Sequence, residues 1–328
     1  MKEKVYRAAL IGCGQIGACF DWPDSKNIIT HAKAYFRHPR TRLVGVMDIE
    51  ADAAKMAGEK WRCNSYNDID TLFDEEQPEI ISICAPDEYH YEYLMDVIRF
   101  RPKAAIAEKP LTKEVESSRR IIAEYAKAEL PLFVNYSRRY DETVQEVKGM
   151  IDKGEFGRIL HVSIKYTKGI LHNGSHAVDI ANYLFGDILS VETLSGICNH
   201  NESDPTLSAY LSYEKCRDVF LMACDAQSYS VFELDILGQK KRIYFDEFGW
   251  KYTEYVVEDS SLYHGYRELC RGEHRNTGLG TAMMNLIKNV VNHLERKEEI
   301  LCMGKDALRA QEICGDLLKS YLEKRKDA

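Results

Sequence analysis

Nowhere do the 328 residues offer an apolar stretch near the roughly 18 to 20 uninterrupted residues a bilayer requires, so the sequence contains no membrane-spanning helix. The short apolar run in "MKEKVYRAALIGCG" ends in glycines rather than in a small-residue cleavage site, and it does not read as a signal peptide. Cysteine pairs are missing too. The 10 cysteines are scattered without a C-x-x-C or zinc-like grouping, which argues against a disulfide framework or a structural zinc. Reduced thiols in a cytoplasm are expected, with Cys13, Cys84 and Cys224 serving as small apolar residues. Positive charge is in deficit. With 44 Lys and Arg against 52 Asp and Glu the net charge is −8, which excludes a nucleic-acid surface. The one dense basic run, "KRKDA" at the C-terminus, reads as a solvated helix end. There is no internal repeat, low-complexity tract or Pro-rich linker. What remains, 45% hydrophobic and 29% charged residues, describes a well-packed protein of about two domains.

The order of apolar segments gives the class. Strand candidates "VYRAALI" (5–11), "RLVGVMD" (42–48), "EIISICAP" (79–86), "KAAIAEKP" (103–110) and "PLFVNY" (131–136) alternate with helix-like stretches such as "IEADAAKMAGEKW". Alternation of this kind predicts an α/β domain built on a parallel sheet covered on both faces. From about residue 157 the pattern changes. "RILHVSIKYT" alternates, a helix is expected over Ser175 to Phe185, and strand candidates follow at 188–198, 206–213, 217–224, 229–238 and 241–246. That run predicts an open, mostly antiparallel sheet, followed by two helices near 276–296 and 305–325. The expected division is a dinucleotide-binding Rossmann domain over 1–133 and a substrate-binding and oligomerisation sheet domain over 134–328.

Gly12-x-Gly14-x-x-Gly17 directly follows the first strand, the context in which this spacing has meaning. The first glycine permits a tight turn, the second lets a pyrophosphate approach the backbone, and the third allows close helix–strand packing. A helix N-terminus would then face the phosphates. Asp48, at the end of the second strand, could hold the adenosine ribose and repel a 2′-phosphate, favouring NAD over NADP, or it could simply cap a helix. It lies further than the usual ~20 residues past the glycines. The extra length is "FDWPDSKNIIT" (20–30), whose Trp-Pro should interrupt the first helix before "HAKAYFRH" resumes it, forming either a flap near the cofactor or a longer loop.

Two further motifs carry chemistry. "AEKP" ends a strand of the parallel sheet, where residues line the ligand crevice, so that Lys109 could hold a substrate hydroxyl, or Lys-Pro could simply form a turn. "GILHNGSH" sets His172 and His176 four residues apart, a spacing open to metal binding, acid/base work or an unremarkable polar pair. Asn173 stands where an H-E-x-x-H enzyme has its glutamate, and no third ligand is evident, which disfavours a metal.

Taken in order, GCGQIG, Asp48, Cys84-Ala85-Pro86 with His90, Glu108-Lys109-Pro110 and Gly174-x-His176-x-x-Asp179 make the chain resemble the Gfo/Idh/MocA family of sugar-type dehydrogenases. "NYSRRYDETVQEVKGMIDKGEFGRI" (135–159) resembles that family's crossing into the sheet domain. The resemblance implies a dehydrogenase or reductase that moves a hydride between NAD (or NADP) and a secondary alcohol or ketone of a sugar, polyol or sugar nucleotide. Lys109 would orient the hydroxyl and His176 would be the general acid/base. Gly12, Gly14, Gln15, Ile16 and Gly17 would hold the pyrophosphate and Asp48 the ribose, while Ala85, Pro86, His90, Glu108 and Lys109 would lie on the nicotinamide side. His172, at the position of a common family aspartate, would contact substrate together with Asn173 and Arg139. Two cationic histidines would repel, so at least one should be neutral near pH 7. A homodimer or homotetramer formed through an apolar open face of the C-terminal sheet is also implied. Two rival readings keep the fold but not the reaction: a catalytically silent NAD-binding sensor or scaffold, and an enzyme using tightly bound NAD for an internal-redox lyase or hydrolase step.

Overall fold

The computed structural model describes residues 3–198 and 201–326. Along the first part of the chain run β1 (Tyr6–Ile11), α1 (His31–Arg37), β2 (Thr41–Met47), α2 (Ala51–Trp61), β3 (Asn64–Tyr66), α3 (Ile69–Glu76), β4 (Ile80–Ile83), α4 (His90–Phe100), β5 (Ala104–Glu108), α5 (Val115–Lys127) and β6 (Leu132–Asn135). There follow α6 (Glu142–Asp152), β7 (Ile159–Tyr166), α7 (Ser175–Phe185), β8 (Ile188–Ile197), β9 (Thr206–Tyr213), β10 (Val219–Ala223), β11 (Phe232–Gly238), β12 (Lys241–Asp246), β13 (Lys251–Asp259) and β14 (Arg267–Asn276). Two helices close the chain, α8 (Ala282–Leu294) and α9 (Gly304–Lys326). The last two residues of the basic run "KRKDA" lie outside the described residues.

By contacts the chain forms two units, one of residues 1–140 with 280–308 and one of 141–279 with 309–328. The second crossing of the chain, after β14, distinguishes this division from a single cut at 133/134. In the first unit, six parallel strands run in the order β3-β2-β1-β4-β5-β6. Strands β4 and β5 are buried throughout, as a sheet covered on both faces requires. The order reverses between β1 and β4, so the loops after these two strands flank a crevice at the carboxyl edge. The α8 segment joins this unit through Asn285, which donates to the Tyr140 carbonyl at 3.0 Å, and through a bridge between Phe133 and Met303.

The second unit holds eight strands in the order β14-β13-β12-β11-β7-β10-β9-β8, antiparallel except where β10 pairs with β7. In β11 every second residue from Phe232 to Gly238 is buried, which gives the sheet one packed face. Its other face is not the apolar patch expected. Lys165 and Arg242 pair there with Glu233 (2.8 Å) and Asp235 (2.7 Å), Tyr244 donates to Glu233, and Tyr210 meets the edge of Phe220. Ion pairs and aromatic rings cover this face because the outward positions of β7, β11 and β12 are polar or amphipathic.

Five elements are not evident from the apolar pattern. α6 lies in a stretch between 136 and 157 to which the pattern assigns no element. β3 and α3 are short, and β13 and β14 extend the sheet beyond the last strand expected. β14, "RELCRGEHRN", lies on an edge with nearly every residue exposed, so no buried face imposed alternation on it.

Candidate functional site

The glycine loop is held at several points. Gly12 has φ +93°, and a Cβ there would stand 2.4 Å from the Ala85 nitrogen. A Cβ on Gly17 would stand 2.2 Å from the Gly12 carbonyl oxygen, whereas one on Gly14 would meet nothing within 4 Å. The outer glycines are therefore demanded by the fold, and Gly14 leaves an open approach for a ligand. The expected helix is only the turn Gln15–Cys19 before the chain departs, and α1 begins at His31. Trp22-Pro23 explains the break, since proline lacks the N–H that would continue the turn. The 20–30 segment folds against its own residues: the Asp21 carboxylate accepts from the Ile29 N–H (2.7 Å), the Thr30 N–H (3.2 Å) and the Thr30 hydroxyl (2.5 Å). Lys33, almost wholly buried, donates to the Ser25 and Asn27 carbonyls.

Past β1, β2 and β4 opens a cleft of about 460 Å³ whose lining includes Gly12, Gly14, Gln15, Ile16, Asp48, Glu50, Ala85 and Pro86. Phe20, Tyr89 and Tyr93 add aromatic walls. Asp48 is placed by two backbone donors, the Cys13 N–H to Oδ2 at 2.8 Å and the Glu50 N–H to Oδ1 at 3.0 Å. It does not cap α2, whose N-cap is Glu50. Its carboxylate therefore fastens the glycine loop to the end of β2, and each oxygen keeps lone-pair capacity for a ribose hydroxyl. Two carboxylates, Asp48 and Glu50, line this cleft and no lysine or arginine does, an environment suited to a ribose diol and hostile to a 2′-phosphate.

His90 and Glu108 lie beneath the surface rather than along the cleft. His90 is buried, with Nδ1 2.8 Å from the Pro110 carbonyl and Nε2 2.9 Å from that of Ala85, so it ties the loop after β4 to Lys109-Pro110. That peptide bond is cis. The Glu108 carboxylate accepts from the Asn135 amide at 2.6 Å and lies 2.8 Å from the Nε2 of buried His31. Burial pushes the Glu108 carboxyl up, but the hydrogen bond and charge of His31, the Asn135 amide and the Lys109 charge outweigh it and hold the group below the usual carboxylate range. Asp87 is raised, chiefly by burial, with His90 and Lys109 acting in the opposite sense. Lys109 thus stands in the field of two carboxylates.

In the second unit, His172 and Asn173 sit in the turn Gly169–Gly174 and His176 in the first turn of α7. His172 is exposed and His176 half-buried. Asp204, from the loop before β9, accepts from the Leu171 N–H at 2.8 Å and the His172 N–H at 3.0 Å, and Thr206 accepts from the Gly169 N–H at 2.9 Å. The buried Asp204 carboxylate leaves no room for a Cβ at Gly169, which would stand 2.1 Å from its Oδ2. Ser175 closes the turn by donating to the His172 carbonyl at 2.8 Å. Among the described residues, no group of three or more His, Cys, Asp or Glu is placed to hold a metal ion.

Arg139 is buried, and its guanidinium reaches the Leu301 carbonyl at 3.2 Å and Asp306 at 3.5 Å within the first unit. Sequence reasoning missed Asp204, whose only signal was an Asp-Pro in a loop. It also missed His31, Ser82 and Asn135, which look like ordinary members of apolar segments.

Residues 6–136 match the family model described as the oxidoreductase family with an NAD-binding Rossmann fold, Gfo/Idh/MocA. The chain is 28% identical to inositol 2-dehydrogenase 2 of Saccharopolyspora erythraea over 197 residues, 56% of this chain and 55% of that protein. Against inositol 2-dehydrogenase of Rhizobium meliloti it is 23% identical over 98% of both chains. In three dimensions it is similar to an oxidoreductase of Desulfitobacterium hafniense described as NADPH-dependent, with a TM-score of 0.83, 17% identity and coverage of 99% of this chain and 97% of that one, a likeness of fold alone.

Proposed function

Because residues 6–136 match the model of the Gfo/Idh/MocA oxidoreductase family with its NAD-binding Rossmann fold, we propose that the chain is an NAD-dependent dehydrogenase acting on a secondary alcohol of a polyol or sugar ring. The observation that carries this reading is the cleft past β1, β2 and β4, where the open Gly14 and the Asp48–Glu50 carboxylates fit a dinucleotide without a 2′-phosphate. The inositol dehydrogenases among its relatives support a cyclic polyol as the substrate class, as do the neutral polar residues of "HNGSH".

When bound, the nicotinamide would accept or return the hydride. The protein supplies orientation and charge. Gly12, Gly14, Gln15 and Ile16 would present backbone groups to the pyrophosphate, and Gly17 would keep the following turn packed against that loop. Asp48 would accept from the ribose, and Ala85 and Pro86 would form the wall on the nicotinamide side. The Lys109 ammonium would donate to the oxygen of the reacting hydroxyl, favouring its deprotonated form. His176 would take the hydroxyl proton on oxidation and return it on reduction, a task for which histidine is suited because the ordinary pKa of an imidazole lies near neutrality. His172 and Asn173 would hold neighbouring hydroxyls.

Replacing His176 with Ala is expected to lower kcat by about 100-fold or more, as loss of a general base does, while NADH affinity stays within about twofold of wild type. Steady-state kinetics beside a fluorescence titration measure both. Unchanged kcat would remove His176 from the mechanism.

A further inference from the structure

A chain of buried polar side chains runs under the parallel sheet to Glu108. The Tyr35 hydroxyl lies 2.6 Å from the Ser82 hydroxyl, Ser82 lies 3.0 Å from His31 Nδ1, His31 Nε2 lies 2.8 Å from Glu108, and Asn135 donates to the same Glu108 oxygen. Tyr35, Ser82 and His31 are completely inaccessible. Groups of this kind are costly to bury unless fully paired, so a packed apolar alternative would fold at least as well. The chain ends one residue before Lys109, and Lys109 is among the charges acting on Glu108.

We propose that His31 is a positioning residue for the hydride-transfer chemistry: through its bond to Glu108 it fixes the carboxylate beside Lys109, and the 20–30 segment exists to hold His31 in place. This rests on the reading of Lys109 as the residue that orients the reacting hydroxyl. The segment is built for that task. It leaves the cleft wall at Phe20 and is closed by Asp21 on Ile29 and Thr30. Thr30 caps α1 by accepting from the Lys33 N–H at 3.1 Å, so the residue it launches, the first of the helix, is His31.

The groups facing Glu108 are His31 from α1, Asn135 from β6, Cys84 and Asp87 beyond β4, and Lys109 itself. His31 supplies two of the influences that hold the Glu108 carboxyl down. Without it, Glu108 takes up its proton at higher pH, and Lys109 loses one of its two carboxylate neighbours over a wider acid range.

The test is kcat as a function of pH for His31→Phe, His31→Gln and Lys109→Ala, with NADH affinity measured alongside. His31→Phe is expected to lower kcat about tenfold or more, by analogy with the loss of other residues that orient a reacting group, to leave NADH affinity within about twofold, and to move the acid limb of the profile upward. His31→Gln can still donate to Glu108 and should recover most of the turnover. A His31→Phe profile that superimposes on wild type at unchanged kcat overturns the inference, even if Lys109→Ala is inactive. Wild-type turnover in Lys109→Ala would instead overturn the functional reading beneath it. Should His31→Phe fail to fold, Ser82→Ala decides, because it keeps the imidazole and removes the partner shared by its Nδ1 and the Tyr35 hydroxyl: an upward-shifted acid limb supports the inference and an unmoved one overturns it.

Discussion

At the scale of single residues, Asp48 carries two duties that separate experimentally. It fastens the Cys13 N–H and it faces the cleft with Glu50. Hydrogen bonds to a charged acceptor contribute about 1.5–3 kcal/mol each, so Asp48→Ser should weaken NADH binding by about tenfold or more. The same change removes a negative charge from the ribose end, and the preference for NAD over NADP in kcat/KM should narrow by at least about tenfold. An unaltered preference would show that discrimination lies elsewhere. Asp48 was legible in the sequence because a strand end and a preceding glycine loop give it a context. His31 was not: its meaning comes from Ser82 on β4 and Glu108 on β5, which only the folded sheet brings to one place. The guanidinium of Arg139, a residue the family resemblance marks out, reaches the Leu301 carbonyl and Asp306, partners that only folding brings to it.

At the scale of elements, the glycine loop behaves as three positions with different demands. Gly12→Ala and Gly17→Ala would each force a Cβ into backbone atoms, and a loss of about 1–3 kcal/mol or more in unfolding free energy is expected from overpacking of this kind. Gly14→Ala meets no atom of the protein and should change stability by less than about 0.5 kcal/mol, as surface substitutions do. It should nevertheless weaken NADH binding by about tenfold, because the methyl stands where a phosphate approaches. Thermal melts and NADH titrations of the three variants check this, and a Gly14→Ala variant with native affinity would argue against a pyrophosphate at that loop. The strand–helix alternation of the first unit was readable because buried parallel strands are continuous apolar runs. The β13–β14 extension was not, since a solvated edge imposes no periodicity. The break after Cys19 was readable from Trp22-Pro23, while the path of the chain that follows depended on Asp21, an acid like many others in sequence.

At the scale of the whole molecule, we propose that the chain assembles as a dimer or tetramer through the open face of its eight-stranded sheet. Tyrosine, phenylalanine, arginine and a 43% exposed Met222 are found there, a composition typical of interface centres. Analytical ultracentrifugation should show a mass that is a multiple of 37.7 kDa, and Phe220→Asp with Met222→Asp should shift it toward the single chain. A monomer at micromolar concentration would contradict this assembly. None of the described helices is long and apolar enough to cross a membrane. Hydride transfer is read from nicotinamide absorbance when the protein and NAD are mixed with a panel of polyols, sugars and sugar nucleotides, beside Lys109→Ala. NADH should form with at least one cyclic polyol or sugar. The rate should fall by about 100-fold or more in the variant, a loss of roughly 2.7 kcal/mol in transition-state stabilisation, with cofactor affinity nearly unchanged. NADH binding without turnover on any compound, or equal rates for the two proteins, would contradict it.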